Sequence, residues 1–209
     1  MDLLDKKILS SVYLSSLVPE ISPYQRLWSD DYVPRDVYDK KVQELSKNGL
    51  IDNDNNTPQI SFIGRDAIKV VLVGGVFDLI HPGHIHTLKA AKSQGDVLVV
   101  VIARTSTAKK IRGERRIYHD ESLRQELVSS LHFVDLAIIG KEGTLYDTVE
   151  FVKPDIIALG YDQAHTEKDV SENCAKRKLN VRVIRLNTPL PITKSSTIKD
   201  DLGDSFYNT

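Results

Sequence analysis

The sequence predicts an α/β protein: a five-stranded parallel, doubly wound sheet of strand order 3-2-1-4-5, preceded by a small helix-rich domain. Three observations predict it. After residue 68, five short apolar runs alternate with stretches of helical periodicity, the pattern of a parallel sheet joined by helical crossovers. The first run, Val70 to Val73, stops at Gly74-Gly75, and a helical pattern resumes near His84, where Ile85, Leu88 and Ala91 recur about every three residues. Residues 1–66 carry a different pattern, helices followed by a hairpin, so the boundary falls at residues 66–67.

In the first domain, Leu4, Ile8, Leu9 and Val12 describe one amphipathic helix. Tyr38, Val42 and Leu45 describe another, opened near Pro34 and closed by Gly49. A short helix is expected between them, within Ile21–Tyr32. Leu50–Asp52 and Gln59–Ile63 flank a polar turn and read as two paired strands. Helices followed by a hairpin make a winged-helix-like module, and VPRDVYDKKVQELSKNGLI looks like its third helix and first wing strand. Such a helix can enter the DNA major groove, so DNA is a candidate partner. Charge points the other way: residues 1–66 hold eight Lys or Arg against eleven Asp or Glu, a net of −3. A docking, dimerising or substrate-covering module, with a homodimer as one outcome, fits that balance better.

In the second domain (67–209) the expected strands are Lys69–Val73, Val97–Ile102, Asp135–Ile139, Ile156–Leu159 and Val181–Leu186. The expected helices are His84–Ser93, Asp120–Leu131, Leu145–Lys153 and Glu167–Lys178, with Gly95 stopping the first. In this order the switch point lies between the first and fourth strands, so the tips at Gly75 and Gly160 face a ligand together.

The first tip has the most specific chemistry. Paired glycines let a phosphate approach the backbone, because no Cβ intervenes. A helix N-terminus beyond them offers unpaired N–H groups and partial positive charge to an anion. His81 and His84 are three apart, so their imidazoles face the same way and can donate to one phosphoryl group. A His-x-x-His pair can also form half of a metal site. No Cys or carboxylate stands at ligand spacing nearby, and Pro82-Gly83 suits a turn, so no metal ligand is assigned.

Other stretches reach the same tips. The loop Ala103–Arg116, after the second strand, carries five cations in the eight residues from Lys109 to Arg116, suited to gripping phosphates. The helix opened near His119-Asp120 is expected to bury Leu123, Leu127, Val128 and Leu131, with Arg124 beside that stripe within reach of the phosphates. The fourth strand ends in Leu159-Gly160-Tyr161-Asp162-Gln163, where Asp162 can accept from a base or ribose. Hydroxyls in Thr193-Lys194-Ser195-Ser196-Thr197 can bind phosphate while capping the last helix.

Composition sets bounds. A net charge of −1, 41% hydrophobic and 27% charged residues over 209 positions are those of a globular chain without a global pull toward nucleic acid or membrane. Val97–Ala103, the longest apolar run, is too short to span a bilayer, and MDLLDKK is acidic where a signal peptide is basic, so the chain reads as cytoplasmic. The single Cys174 agrees with a reducing compartment.

GGVFDLIHPGH resembles the G-T-F-D-x-x-H-x-G-H signature of the cytidylyltransferase-like nucleotidylyltransferases, and the likeness runs from about Lys69 to Leu202. The resemblance implies a Rossmann-like fold and a nucleotide site. It assigns phosphate contacts to His81 and His84, assistance to Lys109 or Lys110 and Arg124, and completion of the site to Asp162, Ser195, Ser196 and Thr197. Gly75, Val76, Phe77, Asp78, Pro82, Gly83 and Gly160 line it by the same match. VVVIARTSTAKKIRG, the Ala-Ile-Ile-Gly at 137–140 and LGYDQ most resemble archaeal FAD synthetases, with glycerol-3-phosphate cytidylyltransferases next. The chain departs from the pattern twice. Val76 replaces the signature's Thr, and Thr105 replaces the acid of A-R-D. Losing one phosphate hydrogen bond costs ~1–3 kcal/mol, about one or two orders of magnitude in rate.

The activity this implies is direct displacement: a phosphate monoester attacks the α-phosphorus of a nucleoside triphosphate and pyrophosphate leaves. Mg²⁺ is expected on the triphosphate. ATP with FMN would yield FAD; CTP with glycerol 3-phosphate would yield a CDP-alcohol. The reading from another class is a DNA-binding transcription regulator that keeps the nucleotide site as a sensor.

Overall fold

The computed structural model describes residues 1–31, 33–54, 57–112, 117–161 and 163–187. The chain divides into two compact units, Met1–Val70 with Gly95–Val97, and Val71–Gln94 with Leu98 onward.

Unit one contains α1 (Leu3–Leu17), α2 (Pro23–Asp31), α3 (Arg35–Lys47), the hairpin strands β1 (Ile51–Asp54) and β2 (Thr57–Ile60), and α4 (Phe62–Asp66). A capping box opens α1. The Asp2 carboxylate accepts from Asp5 N–H and the Asp5 carboxylate accepts from Asp2 N–H, each at 2.8 Å. Ile8, Leu9 and Val12 of α1, Leu27 of α2, Tyr38, Val42 and Leu45 of α3, and Ile51 of β1 are buried and form the core. Two cations of α3 are neutralised within the unit: Arg35 pairs with Asp39 at 2.9 Å, and Lys41 with Asp2, Asp5 and Glu44 at 3.0, 2.9 and 3.4 Å.

The hairpin pairs antiparallel, Ile51 opposite Ile60 and Asp54 opposite Thr57. The expected second strand through Ile63 is cut short. Ser61 caps α4, its hydroxyl accepting from Gly64 N–H at 3.0 Å, and the chain turns helical with Phe62 82% and Ile63 60% exposed.

Unit two builds the sheet. Its elements are β3 (Val70–Gly75), α5 (Pro82–Lys92), β4 (Val97–Ile102), α6 (Thr105–Arg112), α7 (Glu121–Ser129), β5 (Leu136–Ile139), α8 (Leu145–Val152), β6 (Ile156–Leu159), α9 (Glu167–Lys176) and β7 (Arg182–Arg185). The order β5-β4-β3-β6-β7 is 3-2-1-4-5 when the five strands are counted along the chain. Pairing is parallel, with Val71 opposite Ile156, Val99 opposite Leu136 and Ile156 opposite Arg182. Every residue of β4 is buried, as for a strand covered on both faces, and its core includes Leu88, Leu98, Val100, Ile102 and Val128.

Three local expectations are corrected. Helix α5 begins at Pro82, not His84, because proline suits the first helical position. The stretch after the second strand is not all loop: Thr105–Arg112 is α6, anchored by Ala108 at 0% exposure. On α7 the inward residues are Arg124 and Val128, both 0% exposed, whereas Leu123 and Leu127 are 47% and 43% exposed. The apolar stripe lost to a charged residue because Arg124 has backbone carbonyls to bind, as described below.

Gly64 shows how tightly unit one closes. A Cβ there would lie 2.0 Å from the Leu50 carbonyl oxygen and 3.2 Å from Ile60 Cγ1. Gly64→Ala gains ~1 kcal/mol of helix propensity, yet the clash with fixed backbone outweighs it. We expect a net loss of ~2 kcal/mol in urea denaturation; an unchanged midpoint would contradict this packing.

Candidate active site

The site grows from the carboxyl end of β3. The Gly75 carbonyl accepts from Ala103 N–H at 2.8 Å, and the Gly74 carbonyl accepts from Gln163 Nε2 at 2.6 Å. These bonds tie the tip of β3 to the residues following β4 and β6, as a switch point requires. A Cβ on Gly75 would stand 2.6 Å from Cε2 of Phe77, so the glycine is needed for close approach. Phe77 has φ +52°, a left-handed conformation costing ~1 kcal/mol for a non-glycine residue. That turn folds the chain back and buries the Phe77 ring to 5% exposure.

His81 is the N-cap of α5, with extended backbone, and Pro82 is the first helical residue. The His81 and His84 rings lie face to face, centroids 3.8 Å apart and tilted by 33°, and Phe77 stands 5.3 Å from His84. The expected common orientation of the imidazoles is thus present as a stack. Fewer helix amides are open than expected. Pro82 has none, and His84 and Ile85 donate to the His81 carbonyl at 2.9 and 3.3 Å, which leaves Gly83 N–H. A shallow, open concavity of about 520 Å³ lies here, lined by Ile80, His81, Pro82, Ile85, His86 and Lys89.

Two expected ligand contacts turn inward. Asp78 is fully buried, its carboxylate accepting from Tyr118 N–H at 3.0 and 3.2 Å and His119 N–H at 3.0 Å. It fixes the approach to α7 rather than facing the crevice. Arg124 is also fully buried. Its guanidinium donates to the carbonyls of Val76 at 2.7 Å, Ala103 at 2.8 Å and His119 at 3.0 Å, and to Thr105 Oγ1 at 3.2 Å. Expected to reach phosphates, it instead joins the tips of β3 and β4 to the start of α7. Val76 contributes that carbonyl and a side chain 8% exposed.

Thr105 opens α6. Its hydroxyl and N–H both donate to Glu121, the N–H at 3.3 Å, and Glu121 lies 4.0 Å from Arg124. The Thr105 hydroxyl is the first cause that holds the Glu121 carboxyl below the ordinary glutamate range. Lys109 and Lys110 of α6 are exposed. Arg104 donates to the Gly140 carbonyl at 2.9 Å. At the other tip, Gly160 is buried, and its carbonyl accepts from Arg185 Nη1 at 2.8 Å. Arg185 also donates to the Gln163 carbonyl at 3.2 Å and the His165 carbonyl, and pairs with Glu167 at 2.9 Å.

His81, His84, Gly75, Phe77, Pro82 and Gly83 thus stand together at one strand tip, and Gln163 links it to the tip of β6. Asp162, Ser195, Ser196, Thr197, the turn and helix expected over 193–202, and the Gly113–Arg116 part of the cation run lie outside the described residues. Sequence reasoning left Glu121, Gln163 and Arg185 unassigned. Among the described residues, no group of three His, Cys, Asp or Glu side chains is placed to hold a metal ion, and no helix is long and apolar enough to cross a membrane.

Residues 72–200 match the family model described as cytidylyltransferase-like. FAD synthase of Aciduliprofundum boonei is 47% identical over 116 residues, 56% of this chain and 76% of that protein. FAD synthase of Pyrococcus horikoshii is 44% identical over 125 residues, 59% of this chain and 84% of that protein. Among solved structures, the lipopolysaccharide core biosynthesis protein of Thermoplasma volcanium superposes with a TM-score of 0.56 at 45% identity, covering 58% of this chain and 98% of that one.

The buried carboxylate of Asp78 supplies a direct check on this corner. Asp78→Ala strands the N–H groups of Tyr118 and His119, and we expect it to lower stability by ~3 kcal/mol and to speed hydrogen exchange at those two amides. Unaltered exchange there would contradict the assignment.

Proposed function

This chain belongs to the cytidylyltransferase-like family, and from that premise we propose that it is an FMN adenylyltransferase, joining ATP and FMN to give FAD and pyrophosphate. The observation that carries the reading is the stacked His81–His84 pair at the start of α5, beside a glycine-lined strand tip, in a chain similar to archaeal FAD synthases.

The reaction needs no side-chain nucleophile. A phosphate oxygen of FMN, already anionic near neutral pH, forms a bond to the α-phosphorus of ATP. The bond from that phosphorus to the bridging oxygen breaks, and pyrophosphate departs with the electron pair. What remains for the protein is alignment and neutralisation of charge on the transferred and leaving oxygens. In this proposal His81, His84 and Gly83 N–H bind the α-phosphoryl oxygens, while Lys109 and Lys110 meet the departing phosphates. A divalent cation such as Mg²⁺, brought with the triphosphate rather than held by a cluster of this chain's described carboxylates, would supply charge screening there. The shallow concavity that Ile80, Pro82 and Ile85 help to line offers apolar surface to the flavin ring, and Lys89, which also lines it, suits the acceptor's anion.

For residues 1–66 we propose a winged-helix-like module used in docking rather than DNA binding, since Arg35 and Lys41 of α3 are already paired with carboxylates. A cytoplasmic setting agrees with Cys174 being a buried free thiol, its pKa pushed up by burial.

Incubation with ATP and FMN, followed by pyrophosphate release and FAD chromatography, tests the reading. We expect FAD from wild type, a rate at least ~100-fold lower in His84→Ala, and no product from CTP with glycerol 3-phosphate. Preference for the CTP pair, or equal rates in wild type and His84→Ala, would contradict it.

A further inference from the structure

We propose that Glu121 is a positioning residue of the transfer reaction: its carboxylate, reaching over from α7, fixes the root of α6 and thereby the aim of Lys109 and Lys110. The inference rests on the adenylyl-transfer reading for its kinetic assay, though not for its geometry.

Three residues from two helices close a triangle here. Thr105, the first residue of α6, gives both its hydroxyl and its N–H to Glu121. Arg124 Nη2 donates to the Thr105 hydroxyl oxygen at 3.2 Å and lies 4.0 Å from the same Glu121 carboxylate. A carboxylate against the first turn of a helix complements the partial positive charge of that terminus, and bonds to an ionised acceptor are about twice as strong as neutral ones. The Thr105 N–H bond therefore holds α6 at its origin, and the neighbouring guanidinium holds the carboxylate.

Position along α6 makes this matter for chemistry. Ala108 is fully buried, and Lys109, one turn beyond Thr105, is exposed together with Lys110. With Thr105 tied to Glu121 and Ala108 buried, the described part of α6 is held at its first turn, and Lys109 and Lys110 follow directly from that anchored turn. The arrangement also accounts for a departure in the sequence. Threonine stands at the position where the family pattern has an acid, and the structure sets a carboxylate from α7 directly against that threonine. The negative charge is present at this corner, attached to a different element.

Charge and hydrogen bonding can be separated by substitution. Glu121→Gln keeps an oxygen to accept from Thr105 but removes the charge, and Thr105→Asp returns a carboxylate from the α6 side. The experiment measures FAD formation and ATP affinity for wild type, E121Q, and T105D/E121Q, with thermal unfolding run in parallel. We expect E121Q to fold with a transition close to wild type, to lose about tenfold in kcat with KM for FMN unchanged, and to bind ATP several-fold more weakly. T105D/E121Q is expected to recover most of both losses. A purely structural role would instead lower the unfolding transition and leave kcat per folded molecule intact. E121Q indistinguishable from wild type, or a loss that T105D does not recover, would overturn the proposal. If wild type makes no FAD, the FMN reading fails by itself, and the ATP affinities of the same three proteins still decide this one: equal affinities overturn it, and loss with recovery upholds it.

Discussion

The guanidinium of Arg124 is the constraint around which the crevice is arranged. A fully buried cation is costly unless its donors are satisfied, and here they meet three backbone carbonyls and a hydroxyl. Those partners come from the turn after β3, the end of β4, the first residue of α6 and the entry to α7. One side chain therefore ties four segments together. Asp78 does the reverse job with the opposite charge, collecting N–H groups of Tyr118 and His119. The turn after β3 and the α7 entry are thus locked by two ionic side chains facing inward, beside the stacked imidazoles of His81 and His84.

Much of the fold was legible because its signals are local. Val70–Val73 and Val97–Ile102 are apolar without interruption, as strands buried on both faces must be, and Gly74-Gly75 marks where the first one ends. The parallel, doubly wound sheet followed from the alternation of runs and helices, and the expected order 3-2-1-4-5 is the one observed. What could not be read is where a charged residue outcompetes an apolar one for an inward position. Arg124 sits on a helix with three leucines nearby, and periodicity favours the leucines; only the carbonyls gathered in three dimensions reverse the choice. Helix α6 was hidden for a related reason. Its composition, Thr-Ser-Thr-Ala-Lys-Lys, is that of a surface loop, and it is stabilised by Ala108 and by Glu121 from sixteen residues away. At the site, His81, His84 and Gly75 were visible from type and spacing, whereas Gln163 and Arg185 act on carbonyls that no linear pattern identifies.

The first strand tip combines strain with rigidity. Phe77 adopts a left-handed backbone, its ring occupies the space a side chain on Gly75 would need, and the same ring stands beside His84. Replacement of the family's threonine by Val76 removes a hydroxyl from this turn but keeps the carbonyl that Arg124 binds. The geometry of the turn is thus maintained by its backbone and by Phe77, next to two stacked imidazoles at one helix start.

The central claim is that those two rings bind the phosphoryl chain of a nucleotide. The most direct measurement is a crystal structure with a non-hydrolysable ATP analogue. The account predicts α-phosphoryl oxygens within hydrogen-bond distance of both His81 and His84, at the N-terminus of α5 and over the Gly74-Gly75 tip. An analogue bound elsewhere, with the two imidazoles making no contact to it, would contradict the account.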